Sequence, residues 1–464
     1  MGKNLQVLLD ISQTLGGLKV ERFVLRDEAS DCLITLELRD RVARAGFSGE
    51  LSEKTLDKIF SGYQFQNGWL RGDFQATLLL DQLMRSTVQG RLDADDLSLP
   101  WQLEKPLEIE HLSLTGDGNH ISIAEARFIW EEKPFVLSGD VGFSEKRILL
   151  DVDLSTERFD LDQVTKSLRK ETNGKGAQDS SNFQVEGTIR FKSNSVKYER
   201  FTWEPFRADI AIGQNVVEVN IEEAKLCGIS TTGVVKVMDQ QVSLDVQPAS
   251  RSRELESTAK CLLDETIRVT GDFELKGRIV AQAKPKDLFS ALGGNLEFQA
   301  KDGQIYYLVG LARILEFVNL TEVYKGKIPD LKKKSLPYDL FTVIGSLQGG
   351  KLIIKEATLE GHTLQLAAQG EVSLAEGKVN LTVLVAPLRT VDRIINLIPL
   401  VRYILAGTLL TVPVKVSGDL RDPKVTALSP SAVGYELLGI MTRTLRLPLH
   451  IIQPLLPKKN NEGN

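Results

Sequence analysis

Residues 356–385 read EATLEGHTLQLAAQGEVSLAEGKVNLTVLV, and the outline of this stretch occurs twice more in the chain. Residues 125–154 read EARFIWEEKPFVLSGDVGFSEKRILLDVDL. In both, Glu-Ala is followed fourteen residues after the Glu by Gly, an acidic residue and Val. A short charged loop and an alternating run come next. A third copy, EEAKLCGISTTGVVKVMDQQVSLDVQ at 222–247, has a shorter first hairpin, with ten residues from Glu223 to Gly233. Apolar residues fall two apart in these runs: Ile148, Leu150, Val152 and Leu154; Val242, Leu244 and Val246; Val379, Leu381, Val383 and Val385. A period of two with one apolar and one polar face predicts antiparallel strands covered on one side only.

Working outward, short amphipathic helices punctuate the strands. Helices are expected at 52–60, 160–170 and 286–292, where acidic or hydroxyl starts, basic ends or a Gly-Gly stop match end preferences. Each is followed by a strand opening on or beside Gly. The chain therefore reads as units of about a hundred residues. We expect an incomplete N-terminal sheet segment at 1–51 and a first repeat at 52–155. A second repeat with a polar connector (PASRSRELESTAK from Pro248) follows at 158–284, and a C-terminal domain at 285–431. A helix and a disordered tail close the chain at 432–464. The C-terminal domain carries a longer helix, expected at 306–320.

Composition narrows the function classes. Of 464 residues, 42% are apolar, enough for a core. Lys and Arg number 57 against 62 Asp and Glu, a net charge of −5, so no basic field exists to hold nucleic acid. Cys32, Cys227 and Cys261 are odd in number and far apart, and are expected to be small buried hydrophobes without a disulfide framework or zinc pattern. His111, His120, His362 and His450 are scattered, with no ligand spacing for a metal. No phosphate-binding loop, nucleophile elbow or metalloprotease motif is present. The adjacent carboxylates Asp95-Asp96, Glu131-Glu132 and Glu222-Glu223, placed on strands, point to opposite faces and cannot act as an acid/base pair. We expect no enzyme, no cofactor and no metal.

The N-terminal stretch alternates Leu5, Val7, Leu9 and Ile11 like a strand and is not a signal peptide. The most apolar stretch, from Ile394, is broken by Pro399, Arg402 and Pro413, so no spanning helix is expected.

From Gly294 to Ser431 the sequence resembles the C-terminal region of the AsmA-like family. The matching pieces, in order, are DGQIYYL, LPYDLFTVIGSL, GGKLIIKEATLEG, GEVSLAEGKVNL, VAPL, NLIPLV, GTLLTVPVKVSGDLRDPKV and a Ser-Pro-Ser at 429–431. Upstream, the earlier repeats resemble the repetitive middle of such proteins. The resemblance implies a mainly β fold, an elongated, curled antiparallel sheet whose apolar face forms a groove, with a few short amphipathic helices. It implies a non-enzymatic phospholipid carrier of the bacterial cell envelope, conducting acyl chains across the periplasm towards the outer membrane. Phospholipids, bacterial membranes and envelope proteins are the implied partners. The family's N-terminal inner-membrane anchor is missing from this chain and is expected in a full-length form. The alternative is a periplasmic scaffold or outer-membrane assembly factor that recruits proteins through its sheet edges.

The expected groove wall follows the alternation. Phe135, Leu137, Val141 and Phe143 line the first meander, with Ile148, Leu150 and Val152 of its last strand. Val217, Val219, Ile221, Val242 and Leu244 serve the second. Leu364, Leu366, Val372, Leu374, Val379, Leu381 and Val383 serve the third. Charge at Leu366 or Leu381 is expected to block lipid passage with the sheet still folded. In the C-terminal helix, Leu437, Leu438, Met441 and Leu445 with Arg443 and Arg446 alongside allow two readings: docking on the protein's own sheet, or contact with a membrane. The basic loop 325–334 is expected to be solvated, with anionic headgroups as the second reading.

Overall fold

The Glu-Ala pair that marks each repeat sits at a β-bulge in all three copies, as a computed structural model of the chain shows. The extra residue falls between Ile123 and Ala126, between Ile221 and Glu223, and between Ile354 and Ala357. A bulge shifts the alternation by one, so apolar residues at odd positions before it continue at even positions after it, or the reverse. The Ala of the pair lands on the apolar face, where a small side chain fits the tightened turn. The Gly that follows has φ of +121° at Gly139, +142° at Gly233 and +142° at Gly370. A Cβ at Gly139 would lie 2.3 Å from the Asp151 carbonyl oxygen of the next strand. Only glycine fits there, and the bulge and the kink together curl each meander.

The structure describes residues 4–14, 17–39, 41–56, 58–59, 68–79, 85–98, 107–130, 132–144, 147–162, 184–262, 268–307, 310–314, 335–362, 364–373, 375–387, 403–405 and 409–452. The fold is mainly β, built of curled, predominantly antiparallel sheet. It divides into two compact units: the first holds residues 1–226 and 236–239, the second 227–235 and 240–464.

In the first unit, β1 (Gln6–Thr14), β2 (Gly17–Arg26), β3 (Asp31–Arg39) and β4 (Val42–Ser52) lead into the short helix α1 (Glu53–Leu56). There follow β5 (Trp69–Leu79), β6 (Thr87–Ser98), β7 (Leu107–Gly118), β8 (His120–Trp130), β9 (Lys133–Ser144) and β10 (Arg147–Asp160). The unit continues with β11 (Gln184–Tyr198), β12 (Phe201–Ile212) and β13 (Val216–Leu226). Each strand pairs with the next, all antiparallel except β10 with β11, which run parallel in register Arg147↔Gln184 to Asp160↔Lys197. A parallel pair cannot be joined by a tight turn and requires a crossover connection.

The second unit holds β15 (Gln241–Glu254), helix α2 (Leu255–Leu262), β16 (Arg268–Val269), β17 (Asp272–Ala283), β18 (Gly293–Tyr307) and β19 (Leu336–Gln348). After these come β20 (Lys351–Glu360), β21 (Leu364–Ser373), β22 (Lys378–Pro387), β23 (Tyr403–Leu405), β24 (Leu409–Asp419), β25 (Pro423–Ala427) and helix α3 (Tyr435–Ile452). Its ladder runs β15–β17–β18–β19–β20–β21–β22–β24–β25, antiparallel throughout. The division itself falls at β14 (Ile229–Met238).

Several expected elements move. The segment read as a polar connector from Pro248 is the end of β15 followed by α2. Tyr306 and Tyr307, expected to open a helix, end β18, and helix is described only at 310–314. The expected helix at 286–292 is two successive 3-10 turns, Pro285–Asp287 and Phe289–Ala291. Of the helix expected at 160–170, residues 163–170 lie outside the described residues, as does the basic loop 325–334.

Candidate functional site

Register decides which side chains share a face. Across β9 and β10, Phe143, Val141 and Leu137 stand opposite Ile148, Leu150 and Leu154, Phe135 stands opposite Thr156, and Val152 faces Gly139. The same face passes from Val152 to Ile189, from Ile189 to Ile210, and from Ile210 to Val219. Val217 and Ile221 stand opposite Ile212 and Ala208 on it. Towards the other end it runs through Phe74, Phe47, Ile34 and Phe23 to Leu9. The first unit thus has one unbroken apolar face from β1 to β13. Phe135, Phe143 and Val152 are buried within it, while Leu137, Val141, Ile148, Leu150, Val217, Val219 and Ile221 are only partly buried. At β1, Val7, Leu9 and Ile11 are about half exposed, at 49%, 52% and 50%. The helical cover described for this face is α1, whose Leu56 packs with Leu25, Cys32, Phe47 and Leu51.

Along one margin of this face runs a file of rings. Phe128, Phe135, Phe159, Phe191 and Phe206 follow each other with centroids 5.5, 6.5, 5.1 and 6.2 Å apart. Edge and offset contacts of this kind are favourable beyond the area they bury. Phe128, Phe159, Phe191 and Phe206 escaped the reading of the sequence, because they come from four strands that only register brings together.

The second unit is different. Leu364, Val372, Val379 and Val383 share its inner face and are buried, Val383 to 3% exposure. Leu366 and Leu381 are partly buried against the same clusters, and Leu374 lies outside the described residues. Val242 and Leu244, opposite Ala283 and Ala281, are partly buried. Two helical pieces cover this face. Leu255 of α2 joins a cluster with Phe273, Ala300, Tyr338 and Leu359. In 310–314, Leu311 joins that cluster and Ile314 packs with Val372, Val383 and Val414. Arg313 pairs with Asp422 at 3.0 Å, tying the segment down.

Helix α3 lies on the opposite face. Leu437, Leu438 and Met441 are buried against Ala367, Leu384 and Ala386, with Leu445 packed beside them, and Arg443 pairs with Glu356 at 2.9 Å. Of the two readings of this helix, docking on the sheet is the arrangement found, and these leucines and Met441 make no membrane-facing surface in it. No helix among the described residues is long and apolar enough to cross a membrane.

The outer faces carry cross-strand ion pairs such as Arg71–Glu50 (2.7 Å), Arg278–Asp245 (2.6 Å) and Arg190 with Asp151 and Asp153. Two histidines share this character: His111 meets Asp95 at 2.6 Å and His120 meets Asp140 at 2.9 Å.

Two fastenings stand apart. The Asp27 carboxylate, with no exposed side-chain surface, accepts from the N–H of Ala29 and Ser30, from the Thr55 hydroxyl and from Lys58 Nζ at 2.7 Å. Burial alone would raise its pKa, but the Lys58 ammonium and these donors outweigh it and hold it at about 2. This ties α1 to the β2–β3 turn. In the second unit Cys227 and Cys261 form a disulfide, which corrects the expectation of three free cysteines. Only Cys32 is a free buried thiol, and burial pushes it up to about 11. The signal missed was Leu255, Ala259 and the Glu256–Lys260 pair, a helical pattern that swings Cys261 back to the β13–β14 turn.

A scan against protein-family models and searches of curated proteins and of solved structures found no match.

Proposed function

We propose that this chain is a non-enzymatic lipid-binding protein of the bacterial cell envelope, of AsmA-like type, that takes phospholipid acyl chains along its inner apolar face. The observation that carries the reading is the continuous, partly exposed face of the first unit. The described inward side chains of this face are mostly apolar and only partly buried. Acyl chains would meet it by non-directional burial, at about 0.8 kcal/mol per methylene removed from water. The Cys227–Cys261 disulfide supports an oxidising compartment such as the periplasm. Cover of the second unit's inner face by α2 and 310–314 favours the first unit as the place of lipid contact.

The test is a mass-spectrometric lipid inventory of gently purified protein, combined with photo-crosslinking from a benzophenone side chain at Leu150 or at Val383. Phospholipid should co-purify and crosslink at Leu150, far less at Val383. Protein that carries no lipid and gives no crosslink at Leu150 would sink the proposal. The scaffold reading has one observation in its favour. Strand β1 is paired only with β2 among the described residues and exposes Leu8 as well as Val7, Leu9 and Ile11. Edges of that kind recruit a further strand.

A further inference from the structure

We propose that α2 is a lid, locked by the Cys227–Cys261 disulfide, over an acyl-binding site at the aromatic end of the second unit's inner face, and that a dithiol reductant releases it. This rests on the lipid reading only for what enters beneath the lid; the motion itself does not depend on it. Helix α2 has eight residues, too few to persist as a free helix in water. Its inward residues are Leu255, Thr258 and Ala259. Beneath Leu255 lie Phe273, Ala300 and Tyr338, each at most 2% exposed, with Phe298 and Phe341 packed alongside. Phe273, Phe298 and Phe341 stack in a row with centroids 5.9 and 5.5 Å apart. This floor is apolar, like the first unit's inner face, and is covered by Leu255 of α2 beside Leu311.

Few other bonds hold the cover. Thr258 Oγ1 donates to the Cys227 carbonyl at 2.9 Å, and Leu255 N–H donates to the Gly271 carbonyl at 2.9 Å. The disulfide fixes the C-terminal turn of the helix to the turn after β13, across 34 residues of sequence. Reduction balances simply. A dithiol gives two electrons and two protons, the Sγ–Sγ bond breaks to two thiols, and the reductant becomes a disulfide. Cys32, deeply buried and with its thiol kept protonated, offers no competing partner.

The experiment is hydrogen exchange on the full chain, with and without dithiothreitol, beside uptake of cis-parinaric acid. Reduction should speed exchange across 255–262 at least tenfold and leave 53–56 unchanged, since α1 is held by hydrogen bonds. The C227S/C261S variant should exchange like the reduced protein and ignore the reductant. Probe uptake should rise on reduction. Unchanged exchange at 255–262 overturns the lid. Faster exchange without added uptake overturns the site beneath it. Failure of the probe to bind in either state would instead overturn the acyl reading of both inner faces.

Discussion

Helices α1 and α2 occupy the same place in their respective units and are held by different chemistry. Each follows directly on a strand, and the N–H of its first residue donates to a glycine carbonyl just before the next long strand: Glu53 to Gly68 at 2.8 Å, Leu255 to Gly271 at 2.9 Å. One is fastened by a carboxylate with four donors, the other by a covalent bond. The first answers to protons and the second to electrons. The sheets beneath differ as well. Among the described residues, one inner face is partly exposed along most of its strands, and the other is largely buried under α2 and 310–314. A shared curl therefore does not imply a shared use.

The sharpest way to break this comparison is to put the same charge on both faces. Val383→Asp buries a carboxylate with no partner and should cost about 4 kcal/mol, unfolding the second unit. Leu150→Asp, partly exposed, should cost about 1–2 kcal/mol and leave the first unit folded, because solvent at the open face hydrates the charge. Urea unfolding of both variants decides it; equal costs would mean that both faces are sealed cores. Leu366 and Leu381 fall between these extremes and discriminate less well. The curl gives the next largest effect. Gly139→Ala and Gly370→Ala place a Cβ 2.3 and 2.2 Å from a carbonyl oxygen of the adjoining strand. Both should lose about 3 kcal/mol despite the unequal cover, as read by denaturant midpoints. Removing the charge in the α1 staple with Asp27→Asn should cost about 2 kcal/mol, since a partly buried charge-assisted bond to Lys58 is lost.

Acidification tests the same staple without mutation. The folded pKa of Asp27, about 2, lies below its ordinary value of 3.8. Its stabilisation is therefore complete above pH 4 and is lost as pH falls through about 2. Exchange at 53–56 should quicken over that range relative to 255–262, whose clasp does not titrate. The smallest effect belongs to the outer faces. Arg190→Ala, which removes two exposed ion pairs, should shift stability by less than about 1 kcal/mol, within the reach of a thermal melt.

Strand identity and the inward residues were legible because a period of two survives in the sequence wherever one face is apolar. Ile148, Leu150 and Val152 announce themselves in this way, as do Val379, Leu381 and Val383. The Glu-Ala repeat was visible too, though its meaning as a bulge needed the register. What stayed hidden depends on chain segments folding back. Whether Val383 meets solvent is decided by Ile314, some seventy residues away in sequence. Cys227 finds Cys261 only because α2 turns back on the β13–β14 turn. The parallel pairing of β10 with β11 leaves no local mark, since each strand alternates as an antiparallel one would.

The bulges give the chain an arithmetic of its own. Before Glu125 the inward residues of β8 are odd, Ile121 and Ile123, and after it they are even, Ala126 and Phe128. In β20 the change runs from even, Leu352 and Ile354, to odd, Ala357 and Leu359. Each bulge is thus a parity switch. A single residue inserted beside Leu150 would invert the remainder of its strand, turning Asp151 and Asp153 inward. Two inserted residues would restore the count and mostly lengthen the strand. Tolerance to insertion should accordingly alternate between odd and even within strands, and vanish as a rule in the loops, where no face has to be kept.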